Sequence, residues 1–283
     1  MLKYAALRER LSGHADIDLR VPTAATDAQL ARVHTPAYLS AALSGSLEAP
    51  AIRRMGFPWS PELVERSRRS VGGTIAAAKA ALHEGWAVNL AGGTHHAYPA
   101  HGEGFCVFND VAVAIREIQS DAPRRRAAVI DLDVHQGNGT ARIFADDPDV
   151  FTLSVHGSAN YPFHKETSDL DIALDDGAGD GPFIEAVTTG LHVALHSRPD
   201  IAFFVAGVDP YVGDTLGRLA VTAEGMAERD HRVYDLCEEA DVPVVTVMAG
   251  GYAPDVDTIA DLHASTVREA ARRWSRRRLL PTP

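Results

Sequence analysis

Cysteine is scarce in this chain: Cys106 and Cys237 are the only two among 283 residues, and they form no Cys-x-x-Cys pair. A disulfide framework is thereby excluded, and a reducing compartment is the better match. No apolar run reaches the roughly 18 residues a membrane span needs. Residues 1–20 carry Lys3, Arg8, Glu9 and Arg10 and lack the apolar core of a signal peptide. These absences read as a cytoplasmic protein. Internal repeats and low-complexity linkers are missing too, which argues for a single domain over residues 1–283, although length alone gives a loose prior of about two. Basic residues are outnumbered, 27 Lys and Arg against 38 Asp and Glu, for a net charge of −11. An acidic body disfavours contact with phosphate backbones, so no direct nucleic-acid partner is expected.

What is present is an ordinary globular composition, 46% hydrophobic and 23% charged, in a chain long enough to bury about three-quarters of its unfolded surface. Short apolar runs rich in β-branched residues occupy residues 86–90, 127–130, 150–155, 201–205 and 242–248. Their lack of polar alternation suits strands buried on both faces. Between them lie amphipathic stretches at 61–83, 110–120, 181–196 and 222–239, long enough for crossover helices. Ser60 before Pro61 is a good helix N-cap, and Thr26 with Gln29 fits a capping box. The alternation predicts an α/β fold, a three-layer α/β/α domain with a mainly parallel sheet. Residues 157–182, rich in Gly, Asp and turn formers, are expected to form a long surface excursion near the functional face. The arginine-rich tail, residues 272–283, reads as a solvated helix end.

The chemistry collects after the apolar runs. The first is followed by Gly92-Gly93-Thr94-His95-His96, the second by Asp131-Leu132-Asp133-Val134-His135, and the third ends in Ser154-Val155-His156. Val208-Asp209 follows the fourth and Gly250-Gly251-Tyr252 the fifth. In an open parallel sheet, ligands bind at the carboxyl ends of the strands, so five strands deliver these groups to one edge. Asp131, Asp133 and His135 alternate with apolar residues and share one face of an extended chain. Two carboxylates and an imidazole so crowded call for a cation. A helix cap accounts for one Asp and not for the trio. A calcium loop is a poor match, because Gln136-Gly137-Asn138-Gly139 follows in place of further oxygen ligands. Mixed Asp and His donors suit zinc or another first-row divalent ion. The His pair after a Gly turn points to proton transfer, while Tyr252 is read equally well as core packing.

At these residues the sequence resembles the zinc-dependent histone deacetylase family, most closely its class IV branch. The matching pieces run in family order: His34-Thr35-Pro36-Ala37-Tyr38-Leu39, Gly72-Gly73-Thr74, the 92–96 turn, Gly104-Phe105-Cys106-Val107-Phe108-Asn109, residues 131–139, Asp209 with Gly213-Asp214, and Gly250-Gly251-Tyr252. The resemblance implies a deacetylase-like fold with Asp133, His135 and Asp209 as zinc ligands; iron(II) or cobalt(II) tolerates the same set. It implies His96 as the acid–base group, oriented by Asn138, with His95 beside it oriented by Asp131. Tyr252 would donate to the substrate carbonyl. Gly104, Phe105 and Gly250 would line an acyl-lysine tunnel, with Tyr161 or Phe163 as the opposite wall. Asp131, Asp133, His135, Ser154 and Val155 would form a structural potassium site. The family pattern also places a strand and a first active-site loop ahead of the segment matching residues 3–11, and this sequence starts just before that segment. One sheet edge and one tunnel wall are therefore expected to be incomplete. The small residues Gly92 and Gly93 lead to the expectation of a roomy tunnel floor that admits longer acyl chains.

The implied activity is removal of acyl groups, acetyl or longer, from the Nε of lysine in proteins or peptides. An acylpolyamine or other acylated amine is the alternative substrate. A dinuclear manganese ureohydrolase is a weaker match, since Tyr211 stands where a second bridging carboxylate would be wanted. A non-catalytic acyl-ligand binder would have no need of Asp133, His135, Asp209, His96 and Tyr252 together. Oligomeric state is not legible in the residues.

Overall fold

A computed structural model describes residues 2–279, with side chains through residue 276. In chain order the elements are α1 (Leu2–Leu11), α2 (Asp27–Leu30), α3 (Pro36–Ser44), α4 (Ala49–Met55), α5 (Pro61–Glu84), β1 (Trp86–Asn89), α6 (Asp110–Asp121), β2 (Ala127–Asp131), α7 (Asn138–Phe144) and β3 (Val150–Gly157). They continue with β4 (Leu170–Leu174), α8 (Asp180–His196), β5 (Ile201–Val205), α9 (Ala223–Glu239), β6 (Val244–Val247) and α10 (Val256–Leu279). The single sheet has strand order β1-β6-β5-β2-β3-β4, and every pairing is parallel. This is the α/β architecture that the alternating pattern predicts.

The inner strands are mostly apolar because both faces are covered. Val129, Phe203, Val205, Val245 and Val247 pack with α3, α5 and α6, while Ile130, Ala202, Phe204 and Val244 pack with α8, α9 and α10. Neighbouring residues thus serve opposite layers, as the strand period of two requires. Each Phe buried this way contributes about 1.5–3 kcal/mol. Helix starts follow local chemistry. Ser60 accepts from the Leu63 amide with Pro61 in the first turn, and Thr26 with Gln29 forms both halves of a capping box.

Two expectations need correction. Residues 157–182 do not form one loop: β4 lies within them and pairs with β3 from Leu153↔Leu170 to Gly157↔Leu174. It is an edge strand, only half-buried, so Asp171 interrupts the apolar run by which an inner strand is recognised. In the tail, Arg273 is not solvated; it is buried against Glu269, Asp235 and Glu238. The last residues of that tail, 280–283, lie outside the described ones. Among the described residues, no helix is long and apolar enough to cross a membrane.

Strand order decides where the chemistry falls. From β2 the chain steps outward to β3 and β4, and from β5 it steps the other way to β6. The sheet therefore changes direction between β2 and β5, and a crevice opens beyond their carboxyl ends. α1 closes this end from one side, packing Leu7 and Leu11 against Met248, Ala264 and Val267.

His34 links two segments beneath the crevice. Its Nδ1 lies 3.0 Å from the Tyr98 carbonyl, and its Nε2 accepts from the Asn109 amide at 3.1 Å. Burial lowers its pKa to about 4, so the ring folds neutral. An unfolded His takes its proton near pH 6.5. The unfolded state therefore binds more protons between about 4 and 6.5, and stability falls as pH drops through that window. His34 is expected to cost about 2 kcal/mol between pH 7 and pH 5. Unfolding free energies from urea titrations at the two pH values should differ by that much less in His34→Gln; equal differences would refute the assignment.

Candidate metal centre

The segment after β2 and the segment after β5 meet across the crevice. Leu132 continues the β2–β5 ladder by donating to the Val205 carbonyl at 3.1 Å, so Asp133 and Asp209 arrive side by side. One donor atom each of Asp133, His135 and Asp209 lies within 4.8 Å of the others, and all three residues are buried. Among the described residues this is the one such group. Most carboxylate oxygens have hydrogen-bond donors: Asp133 Oδ2 accepts from the Gly250 amide at 2.8 Å, and Asp209 Oδ1 from the Val134 amide at 2.9 Å. Asp209 Oδ2 is different. It is buried without a hydrogen-bond partner, although it stands 3.1 Å from His135 Nδ1; the distance is short but the alignment is not that of a hydrogen bond.

A buried carboxylate oxygen without a hydrogen-bond partner is costly; the His135 ring 3.1 Å away offsets part of that cost, and a bound cation would offset more. Two carboxylates and one imidazole are the donor set for a first-row divalent ion with open positions, so the residues fit the group. Burial and the Asp133 charge raise the Asp209 pKa to about 6. His135, against the pull of burial, is raised to about 10 by Asp133 and Asp209. Both shifts report one surplus of negative charge. Space is tight as well: a Cβ on Gly250 would stand 1.9 Å from Asp209 Oδ2 and 2.5 Å from Asp133 Oδ2, and one on Gly207 would stand 2.3 Å from Asp133 Oδ2.

The two consecutive histidines lie next to this trio on the turn after β1. Gly92 and Gly93 both have positive φ, 84° and 69°, which lets adjacent rings serve one site. Asp110 holds the turn, accepting from the Gly93 and Thr94 amides and the Thr94 hydroxyl. His95 Nδ1 is 2.6 Å from Asp131 Oδ2, and His96 Nδ1 is 2.6 Å from Asn138 Oδ1. Burial opposes charge on both rings. For His95 the Asp131 and Asp133 carboxylates win and raise its pKa to about 9. For His96 burial and the neighbouring His95 and His135 charges outweigh the Asn138 hydrogen bond and the Asp133 charge, so it is held well below its ordinary range.

Tyr252 faces His135 edge-on, with ring centroids 6.3 Å apart, and its backbone is fixed by Asp214 and Thr215. Burial, then Asp209 and Asp133, push its phenol well up, so it stays a donor. Lys3 from α1 lies over the Tyr252 ring at 5.5 Å and donates to the Ala249 carbonyl at 2.9 Å. Asp214 caps the Leu216 and Gly217 amides and is thus used up in the loop, not offered as a second bridging carboxylate.

Of the residues expected to line a tunnel, Gly104 lies against His96, where a Cβ would meet the ring at 2.6 Å. Phe105 is half-exposed, 6.4 Å from the Tyr252 ring. Tyr161 stands edge-on to His96 at 5.0 Å, whereas Phe163 is 81% exposed and touches Tyr161 from the rim. Ser154 sits beside Asp131 across the β2–β3 ladder, and Val155 follows it. The room expected behind Gly92 and Gly93 is filled: a Cβ on Gly92 would strike Asp110 at 2.4 Å, and one on Gly93 would strike Ala249 at 2.4 Å. Those glycines are small because the core presses on them.

With this geometry in place, comparison with known proteins decides the family. The family model described as "Histone deacetylase domain" matches residues 2–269. The chain belongs to the histone deacetylase family. It is 46% identical over 246 residues to an uncharacterized protein of Picosynechococcus sp., covering 87% of this chain and 82% of that one. It is 32% identical over 241 residues to "Histone deacetylase 2" of Arabidopsis thaliana, covering 82% of this chain and 62% of that relative's length. The fold matches a crystal structure of a histone deacetylase homologue complexed with SAHA at a TM-score of 0.81 and 23% identity, over 95% of this chain and 77% of the other. Membership makes the chain a hydrolase of the deacetylase kind.

Sequence reasoning overlooked Lys3, Glu103 and Asp110. The Asp110 signal was an Asp directly after the N-cap Asn109, and the Glu103 signal was its place just before Gly104-Phe105; Lys3 comes from a distant segment and carried none. Gly250→Ala should fold but lose divalent-ion content by about tenfold or more, since its Cβ would displace the carboxylates. Metal analysis beside circular dichroism checks this, and full occupancy would refute it.

Proposed function

We propose that this histone deacetylase family member is a mononuclear metal-dependent amidohydrolase that removes acyl groups, acetyl or longer, from the Nε of lysine side chains. The observation that carries this reading is the buried trio Asp133, His135 and Asp209, with its bare carboxylate oxygen, beside a neutral imidazole and a phenol donor. Asp133, His135 and Asp209 would hold the ion, taken to be zinc, with iron(II) or cobalt(II) as substitutes. When bound, such an ion polarises the amide carbonyl and makes water acidic, with a pKa towards ~7.

The chain's residues supply the proton transfers and the fixed charges. His96 is neutral, and its Nδ1 is committed to Asn138, so Nε2 is free to take a proton from the attacking water. The same nitrogen returns it to the leaving amine. His95, charged through Asp131, places a fixed positive charge beside the reacting centre and holds its own proton. Tyr252 donates to the carbonyl oxygen as negative charge develops there. Gly104, Phe105 and Tyr161 would flank the acyl-lysine stem. A potassium ion held by Asp131, Asp133, His135, Ser154 and Val155 would brace the β2–β3 end. The cysteines take no part: burial pushes both thiols up.

The partner is an acylated lysine in a protein or peptide, and an acylpolyamine or other acylated amine is the second reading. The location proposed is the cytoplasm, consistent with two free buried thiols. The mononuclear reading is preferred to a dinuclear one because one ligand group is present among the described residues and Asp214 is spent on backbone amides.

Tyr252→Phe should lower kcat by about 10²–10³-fold while divalent-ion content stays at the wild-type level. Unchanged turnover would remove Tyr252 from the reaction. Chelation should abolish hydrolysis of acetyl-lysine peptides and zinc add-back should restore it; full activity in the apo-protein would overturn the metal assignment. A panel of acetyl, long-chain acyl and acylpolyamine substrates ranks the readings, and strict acetyl preference would exclude the longer chains.

A further inference from the structure

Glu103 lies outside the motif positions assigned a role, yet its carboxylate is a junction. Oε1 accepts from Asn138 Nδ2 at 3.1 Å and from the Tyr161 hydroxyl, and Oε2 lies 3.3 Å from His101 Nε2. The side chain is 17% exposed. Its backbone is pinned by a two-residue turn: Glu103 and Cys106 exchange hydrogen bonds of 3.0 and 2.8 Å around Gly104 and Phe105, both left-handed at φ 54° and 64°. Two successive positive φ values make the tight hairpin turn. It puts the Phe105 ring at the tip and the Glu103 carboxylate inside.

An amide can turn end for end with little change of shape, exchanging its acceptor oxygen for its donor nitrogen. If Asn138 presented Nδ2 to His96, the ring would need a lone pair on Nδ1 and its proton on Nε2, the wrong tautomer for a base. A carboxylate only accepts. Facing Asn138, it admits Nδ2 and rejects Oδ1, so Oδ1 is left for His96 and the ring proton is held on Nδ1. Tyr98, whose proton goes to Glu166, also meets the Asn138 amide, but a hydroxyl can turn to donate and so enforces nothing.

We propose that Glu103 is the positioning residue that sets the direction of the Glu103–Asn138–His96 hydrogen-bond chain, and so the tautomer of the base, while tying the Tyr161 wall to it. The inference deepens the deacylase reading and rests on it only for the kinetic readouts. A neutral amide beside His96 avoids a second buried charge near the ion ligands, and the carboxylate one residue further out restores the orientation that a direct Asp would impose.

The test uses zinc-reconstituted protein with ¹⁵N-labelled histidine. In the wild type, His96 should show a protonated Nδ1 and a bare Nε2. Glu103→Gln, which can donate or accept, should mix the two tautomers, lowering kcat by about 10–10²-fold with KM within about threefold and zinc content and Tm retained. Asn138→Asp alone should also lose activity, because two carboxylates then face each other. The double variant E103Q/N138D should recover to within about threefold of the wild type, since a Gln donor then meets an Asp acceptor; a merely structural role would make the losses multiply. Tyr161→Phe should raise KM more than it lowers kcat, the opposite split. Unchanged His96 shifts in E103Q, multiplying losses in the double variant, or a kcat loss in Y161F equal to that in E103Q would each overturn the proposal. If no acyl-lysine substrate is turned over, the deacylase reading fails, and the ring shifts still decide the Glu103 assignment.

Discussion

Two carboxylates buried against one imidazole are the constraint around which this molecule is arranged. Asp133 and Asp209 are nearly or wholly inaccessible, at 1% and 0%, and uncompensated charge at such depth costs several kcal/mol per ion. The fold accepts that cost at the one place where it can be offset, the point where the parallel sheet reverses its order between β2 and β5. Gly207 and Gly250 leave the carboxylates room, backbone amides of Val134 and Gly250 take up part of their charge, and Lys3 approaches from α1. One oxygen remains without a hydrogen-bond partner, and an ion bound there would link its own binding to folding.

The same charge distribution separates two histidines that sit next to each other in the chain. Their rings are 4.1 Å apart, close enough that both cannot carry a proton cheaply. Asp131 assigns the charge to His95, and the amide of Asn138 leaves His96 neutral. Two like groups thus acquire opposite roles from their partners alone, the pattern by which sites run acid and base chemistry at one pH. Backbone strain surrounds the arrangement: Phe105 and Ala249 are non-glycine residues at φ 64° and 52°, each costing about 1–3 kcal/mol. Both stand at turns that press glycines, carbonyls and ring walls against the reacting groups, and the packed sheet below is what holds them there.

Much of this was legible in residue order. The five apolar runs matched β1, β2, β3, β5 and β6 to within one or two residues, because strands packed under helices on both faces are mostly apolar. The Asp131-x-Asp133-x-His135 alternation pointed to a cation site, but only Asp133 and His135 of that trio join Asp209 in the candidate ligand group; Asp131 is taken up by His95, a partner that no local pattern names. β4 escaped notice for the complementary reason: an edge strand is wetted on one side and reads as loop. The expected room behind Gly92 and Gly93 was a similar misreading, since a missing side chain means open space only if no other segment fills it, and Asp110 and Ala249 do.

The sequence by itself determined the layer architecture, the edge of the sheet that carries the chemistry and the residue types assembled there, because periodicity and local charge crowding are properties of neighbours along the chain. Only the tertiary structure decided which carboxylate oxygen lacks a hydrogen-bond partner, which of Tyr161 and Phe163 meets His96, that Lys3 reaches the site at all, and that Glu103 meets Asn138. Those depend on contacts between segments tens to hundreds of residues apart, and such contacts are set by strand order and packing, for which no local pattern exists.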